Sequence, residues 1–185
     1  TKPLRPLCIV GKRMKNGENF KKAIFFDRDG TLNVDYGYVH KWKEFRWISG
    51  APEAIKLCNE FGYLVCVVSN QAGVAKGHFK EPAIKFLHKR INEDLSLIGA
   101  HIDRFEYCPH HVDAVIKKYK IDCPRRKPNP GMLISSLNFW KLKPENCILV
   151  GDKDLDIAAA KASGMKGYLF DGNNLLEFIK PILSL

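Results

Sequence analysis

The sequence predicts an α/β domain built on a doubly wound parallel sheet, with helices on both faces and no separate cap domain. Three observations carry this. Short runs rich in Val, Ile, Leu and Phe recur along the chain, too continuously apolar for half-exposed strands and suited to a sheet buried on both faces. Helical segments alternate with them, and such β–α repeats with short connections imply right-handed crossovers. Aspartate, serine and glycine stand directly after the apolar runs, where open α/β sheets bind their ligands.

Residues 1–20 have no hydrophobic period and read as a basic N-terminal extension, in which residues 7–10 could form a short strand. The domain proper spans 21–185. Its first strand is expected at 23–26, Ala-Ile-Phe-Phe, running into Asp27. A helix at 52–60 opens on Pro52, which suits a first turn because its missing N–H costs nothing there. Gly62 follows it, as glycine does at helix C-termini. A second strand at 64–69 leads through Ser-Asn-Gln-Ala-Gly, read as a loop, to a helix at 82–98 bounded by Pro82 and Gly99. The remaining strands are expected at 104–108, 147–150 and 167–170, and the remaining helices at 131–139, 155–163 and 175–183. Between the third strand and Pro130, the spacing of Val112, Val115, Ile116 and Tyr119 predicts a short amphipathic helix at 113–119. No long insertion follows Thr31 or Ser69, so the loops at 35–47 and 108–127 must shape any pocket. Trp42, Phe45 and Trp47 are expected to pack the first of these onto the body.

The chain is long enough for one domain with a full core. It is 45% hydrophobic and 27% charged. No apolar run is long enough to span a membrane, and no signal-like segment stands at its start. Of six cysteines, Cys58, Cys66 and Cys147 lie in apolar runs as core residues, and Cys8, Cys108 and Cys123 form no secreted disulfide framework. A reducing cytoplasm is the expected compartment. The net charge of +10 invites a nucleic-acid reading, but it is concentrated at residues 1–22 and 117–127, leaving the rest near neutrality. A positive field around a small polyanionic substrate accounts for the second cluster as well as nucleic acid would, which speaks against a nucleic-acid partner.

Four segments fall at strand ends or helix starts: Asp27-Arg28-Asp29-Gly30-Thr31, Ser69-Asn70-Gln71, Arg126-Lys127-Pro128 and Gly151-Asp152-Lys153. Each alone could be an ordinary turn or cap. In this order, each supplies a part of phosphoryl transfer. Two carboxylates at one strand end are costly without a cation or proton between them. Asp27 can attack phosphorus and carry an aspartyl-phosphate. Asp29 can protonate the leaving oxygen and then activate water. Asp152 can complete an oxygen shell for Mg2+. Ser69 and Lys127 can donate to the phosphoryl oxygens. Asp156 could cap its helix or orient the metal shell through water, and Asp154 is expected to face solvent.

On these segments the chain resembles the haloacid dehalogenase (HAD) superfamily of phosphatases, over roughly residues 22–172. Within it, the histidinol-phosphatase-like group and its heptose-bisphosphate phosphatases match further, at Asp35-Tyr36-Gly37-Tyr38-Val39, Gly73-Val74-Ala75-Lys76-Gly77, Cys108-Pro109-His110-His111 and Pro130-Gly131-Met132. The resemblance implies a HAD-like Rossmannoid fold and a phosphatase with Asp27 as nucleophile and Asp29 as acid/base. Asp27, the Asp29 backbone carbonyl and Asp152 would hold Mg2+, with Ser69 and Lys127 steadying the phosphoryl group. Asp35, Tyr36, Gly37, Tyr38, Asn70, Gln71, Arg126 and Lys153 would bind substrate, although Tyr36 and Tyr38 could equally be loop packing. The implied substrate is a small phosphorylated sugar, D-glycero-D-manno-heptose 1,7-bisphosphate, which would lose its 7-phosphate on the way to nucleotide-activated heptose. Histidinol phosphate and a polynucleotide 3′-phosphate remain alternatives for the same chemistry, and a non-catalytic interaction module is a third reading. The retained acidic and basic residues argue against that last one.

The group often carries a structural zinc held by Cys-x-His and Cys-x-Cys. Here Cys108, His110 and Cys123 match three ligands, but the fourth position is Arg125, whose guanidinium only donates. Zn2+ could still be held if water, His111 or Asp122 supplied the fourth ligand. Without metal, Val112, Val115, Ile116, Tyr119 and Ile121 would have to hold the loop by packing. No exposed apolar stripe stands out, so a monomer is expected.

Overall fold

The computed structural model describes residues 22–183. The basic extension, its expected short strand and Cys8 lie outside the described residues. Five strands, β1 (Ala23–Phe26), β2 (Leu64–Asn70), β3 (Arg104–Cys108), β4 (Cys147–Gly151) and β5 (Lys166–Leu169), form one sheet in the order β3-β2-β1-β4-β5. Every pairing is parallel. Six α-helices accompany them: α1 (Ala51–Glu60), α2 (Ala72–Ala75), α3 (Glu81–Ser96), α4 (Gly131–Trp140), α5 (Asp154–Ala162) and α6 (Leu175–Leu183).

Successive side chains of a strand point to opposite faces, and here both faces are buried. Ile24, Phe26, Val65 and Val67 face one core with Ile55, Leu87, Ile91 and Ile179, from α1, α3 and α6. Phe25, Cys66 and Val68 face the other with Met132, Leu133, Leu137 and Ala159, from α4 and α5. Cys58, Cys66 and Cys147 are buried core residues, as their sequence contexts predict. Phe45 is buried and Trp42 and Trp47 pack against the first core, so the 35–47 loop is pinned as expected. Trp47 also donates Nε1–H to Asp94 at 2.8 Å.

Two expectations are corrected. The predicted helix at 113–119 is only a 3-10 turn, Lys117–Tyr119. The Val115 and Ile116 amides donate to the Ala75 carbonyl, at 3.0 Å each, instead of to carbonyls one turn back in their own segment. Val112, Val115 and Ile121 are exposed, so only Ile116 and Tyr119 of the expected set pack, in a small cluster with Val74, Phe79 and Ile84. Conversely, the Gln-Ala-Gly stretch expected as loop leads into the one-turn helix α2, whose first two residues are Ala72 and Gly73. Among the described residues, no helix is long and apolar enough to cross a membrane.

The strand order reverses beside β1, because β2 and β3 lie to one side of it and β4 and β5 to the other. A crevice opens at the carboxyl ends of strands at such a switch point. Phe26 pairs with Val150, and the Asp27 amide extends the ladder to the Val150 carbonyl at 2.9 Å. Asp27 and Asp152 therefore leave adjacent strands side by side.

Candidate active site

Asp27, Asp152 and Asp156 bring carboxylate oxygens within 4.8 Å of one another. Lys127 offsets this charge: its Nζ lies 2.7 Å from Asp27 Oδ1 and 2.6 Å from Asp156 Oδ1. Burial pushes the Asp27 carboxyl up to about 7, with Lys127 pulling against it and Asp156 and Asp29 adding to it. Burial would lower the Lys127 ammonium, but Asp27 and Asp156 more than compensate and raise it. Asp152 is raised by burial, and its Oδ1 is buried with no hydrogen-bond partner. An orphaned carboxylate oxygen between other hard oxygen donors fits a divalent cation such as Mg2+. Gly30 keeps this space clear. Its φ of +92° is a glycine conformation, and a Cβ there would lie 2.2 Å from Asp152 Oδ2.

Asp29 sits in a different setting. The fully buried Arg28 reaches both its oxygens from Nη2 at 2.9 Å, and also donates to the Val39 carbonyl at 2.6 Å. Asn33 Nδ2 adds a bond at 3.0 Å. Gln71 Nε2 joins Asp29 to Ser69, at 2.8 and 2.7 Å. Burial alone would raise Asp29, but the Arg28 charge and these donors outweigh it and hold the carboxyl below its ordinary range. Two neighbouring aspartates are thus driven in opposite directions: without a cation, burial favours the proton on Asp27 and the Arg28 clamp favours an ionised Asp29, and a divalent cation beside Asp27 would return it to the ionised form.

One cleft gathers most of the residues singled out in the sequence. Asp27, Asp29, Ser69, Asn70, Gln71 and Lys127 line its floor, and Asp35, Gly37, Tyr38, Arg126 and Lys153 its rim. Asn70 clamps the Lys127 backbone through both amide atoms, at 2.9 and 3.0 Å, and so fixes the lysine's approach. Lys153 spans to Asp35 at 3.6 Å. Arg126 donates to the His110 carbonyl at 3.2 Å. Tyr36 is not brought in: it is exposed and faces a neighbouring hollow with Lys43 and Arg46. Asp154 is exposed, as predicted. Asp156 accepts the Lys153 amide at 3.2 Å, so it caps α5 while anchoring Lys127. That second role, and the Arg28 and Asn33 contacts to Asp29, were missed from sequence. The only sequence signal was an arginine inside the Asp-x-Asp pair.

A second cluster lies under the 108–127 loop. Ligand atoms of Cys108, His110 and Cys123 fall within 4.8 Å of one another. Burial pushes the Cys108 thiol up to about 11. Arg125 turns away from the cluster and pairs with Glu106, which Arg104 holds from its other side at 2.6 Å. The residue in the fourth ligand position therefore ties the loop to β3.

Residues 124–174 match the HAD-hydrolase-like family model. A protein of Rhodopseudomonas palustris named D-glycero-beta-D-manno-heptose-1,7-bisphosphate 7-phosphatase is 37% identical over 163 residues, covering 88% of this chain and 91% of that protein. A protein of the same name from Vibrio cholerae is 41% identical over 145 residues, 78% of each chain. The crystal structure of D,D-heptose 1,7-bisphosphate phosphatase from B. bronchiseptica, complexed with magnesium and phosphate, superposes with a TM-score of 0.78 at 25% identity. It covers 88% of this chain and 98% of that one. Likeness of this extent means that the chain is a phosphatase and belongs to the HAD-like family that includes the heptose-1,7-bisphosphate 7-phosphatases.

Proposed function

We propose that the chain removes the 7-phosphate of D-glycero-β-D-manno-heptose 1,7-bisphosphate by a Mg2+-dependent route through an aspartyl-phosphate. The observation that carries the chemistry is Asp27 held against Lys127 beside Asp152 at the sheet's switch point. The substrate rests on the names of the relatives. The setting would be the cytoplasm, with the chain working as a monomer toward nucleotide-activated heptose.

In this reading an Asp27 oxygen attacks phosphorus. The bond to the sugar oxygen breaks, its electron pair stays on that oxygen, and Asp29 supplies the proton. Water then attacks the aspartyl-phosphate as Asp29 takes a proton from it, and inorganic phosphate leaves with Asp27 regenerated. Asp29 begins ionised in the Arg28 clamp, so it must gain its proton first. An incoming phosphate dianion beside it favours that protonated form by like-charge repulsion. Ser69 and Lys127 donate to the equatorial oxygens. Asp27, Asp152 and the Asp29 carbonyl would hold Mg2+, which when bound neutralises charge on the transferring group. Arg126 and Lys153 take the remote phosphate.

The test is Mg2+-dependent phosphate release from both anomers of the heptose bisphosphate, histidinol phosphate and a 3′-phosphorylated oligonucleotide. Preference for the β anomer is expected, and preference for any other compound rejects the substrate. Arg126→Ala should lower kcat/KM on the bisphosphate by about 10–100-fold, as loss of a charged hydrogen-bonding partner does. Its effect on an aryl phosphate should be far smaller. Equal losses on both would remove Arg126 from recognition.

Cys108, His110 and Cys123 would hold Zn2+ through three protein ligands, leaving its fourth position to water. Metal analysis of the purified protein should find about one zinc per chain, lost in Cys123→Ser. Because Arg125–Glu106 ties the loop independently, stripping zinc should lower Tm only slightly. A collapse of Tm on chelation would show that metal, not the ion pair, holds the loop.

A further inference from the structure

The stretch Gly73-Val74-Ala75-Lys76-Gly77 is not used by the chemistry above. Two of its residues, Gly73 and Lys76, meet Tyr38. That residue adopts φ +56°, a left-handed conformation that a bulky side chain keeps only when its surroundings over-determine it. The contacts to its ring include Gly73, Lys76 and His78. The Tyr38 ring lies against the bare Cα of Gly73, where a Cβ would stand 3.0 Å from Tyr38 Cδ1 and 2.3 Å from Phe79 Cε1. Lys76 Nζ donates to Tyr38 Oη at 2.9 Å. The His78 ring sits 4.4 Å from the Tyr38 ring, centroid to centroid. One residue on, His40 Nδ1 lies 2.8 Å from the Tyr38 carbonyl, and its ring stacks on Phe79 at 4.4 Å.

Tyr38 in turn lines the cleft with Arg126 and Lys153, and it is exposed where Asp27, Ser69 and Lys127 are buried. That part of the cleft meets whatever the substrate carries beyond its scissile phosphate. We propose that Lys76 and His78 are positioning residues that seat Tyr38 as the outer wall of the cleft, and that Lys76 thereby sets the preference for a sugar bearing a second phosphate. The second half of this inference rests on the sugar-bisphosphate reading above. The first half does not. Lys76 is half-buried and its charge is directed by the phenol, so its loss should be felt in binding more than in the chemical step.

The test uses the full chain with Lys76→Met, Lys76→Arg, Tyr38→Phe and the double variant Lys76→Met/Tyr38→Phe. Hydrogen–deuterium exchange of amides 35–40 should speed up in Lys76→Met, while amides of the central strands stay unchanged. KM for the heptose bisphosphate should rise roughly five- to tenfold in Lys76→Met, the signature of lost binding, and several times more than KM for p-nitrophenyl phosphate. Lys76→Arg should restore both readouts. The double variant should be no worse than the poorer single one, because the two changes delete one shared contact. Unchanged exchange at 35–40 overturns the positioning role whatever the substrate proves to be. Faster exchange with equal KM changes on both substrates overturns the specificity role. A wild-type enzyme without preference for the bisphosphate rejects the substrate reading, and with it Lys76's selectivity, while the exchange result still decides its positioning.

Discussion

Asp27→Asn is expected to abolish turnover and, in chelator, to leave the fold as stable as the parent or more so. Without a carboxylate to attack phosphorus the aspartyl-phosphate cannot form, and losing a nucleophile costs on the order of 10⁴–10⁶ in kcat. Stability should move the other way because of where the carboxylate lies. Burial pushes its folded pKa up to about 7, against about 4 in an unfolded chain. Between those values the folded state holds a proton that the unfolded state has released, so stability falls as pH rises through this window. Above pH 7 the whole penalty is present, on the order of a few kcal/mol before metal binds. Asparagine carries no such penalty, and Lys127 keeps its Asp156 partner. The Tm difference, variant minus parent, should therefore be small near pH 4, grow toward pH 7 and then level off. Thermal melts in chelator across this range would read it. A variant less stable at pH 8 would mean that the Lys127–Asp27 pair contributes net stability. Appreciable residual turnover would sink the nucleophile assignment.

The sheet was legible because its strands are buried on both faces. Ala23–Phe26 has no polar position to blur it, and Pro52, Gly62 and Gly99 punctuate the helices. Short elements were not legible. Four residues of α2 offer no helical period, and Gly73 inside them argues against a helix for a reason unrelated to its use, which is close approach to Tyr38 and Phe79. The apolar spacing at 112–119 was real but misleading, since spacing does not reveal that Ala75 takes the amides of Val115 and Ile116. The convergence of Asp27, Ser69, Lys127 and Asp152 was foreseeable, because each follows a strand or precedes a helix at one edge of a parallel sheet. What occupies their second valence was not. Lys127 meets Asp27 across 100 residues of chain, and nothing local distinguishes Asp156 as its second partner from Asp156 as a helix cap. The same holds for the tyrosines: Tyr36 and Tyr38 flank one glycine, and only the fold decides which turns into the cleft. Arg125 was readable as a residue that cannot ligate metal, but its pairing with Glu106 needed β3 beside it.

Lys127→Met is expected to have the opposite stability signature from Asp27→Asn, although both should lose turnover. The ammonium is buried and bridges Asp27 and Asp156. Methionine keeps the bulk and removes the charge, leaving Asp27, Asp152 and Asp156 clustered within 4.8 Å without their compensating cation. Breaking a buried pair from one side costs about 3–5 kcal/mol, because the abandoned charge stays buried. In chelator the variant should melt well below the parent, and its deficit should shrink at low pH as Asp27 takes up a proton. Excess Mg2+ should recover much of the loss, since a divalent ion held by Asp27 and Asp152 would supply positive charge to the cluster. Turnover should not recover with it. A fixed donor aimed at the phosphoryl oxygens is worth about 10²–10³ in kcat, and the metal occupies a different place. The double variant Asp27→Asn/Lys127→Met should be more stable in chelator than Lys127→Met alone, because removing one orphaned carboxylate relieves part of the damage. That sign distinguishes an electrostatic account from a packing one: a mere cavity at Lys127 would leave the second substitution additive and Mg2+ without effect.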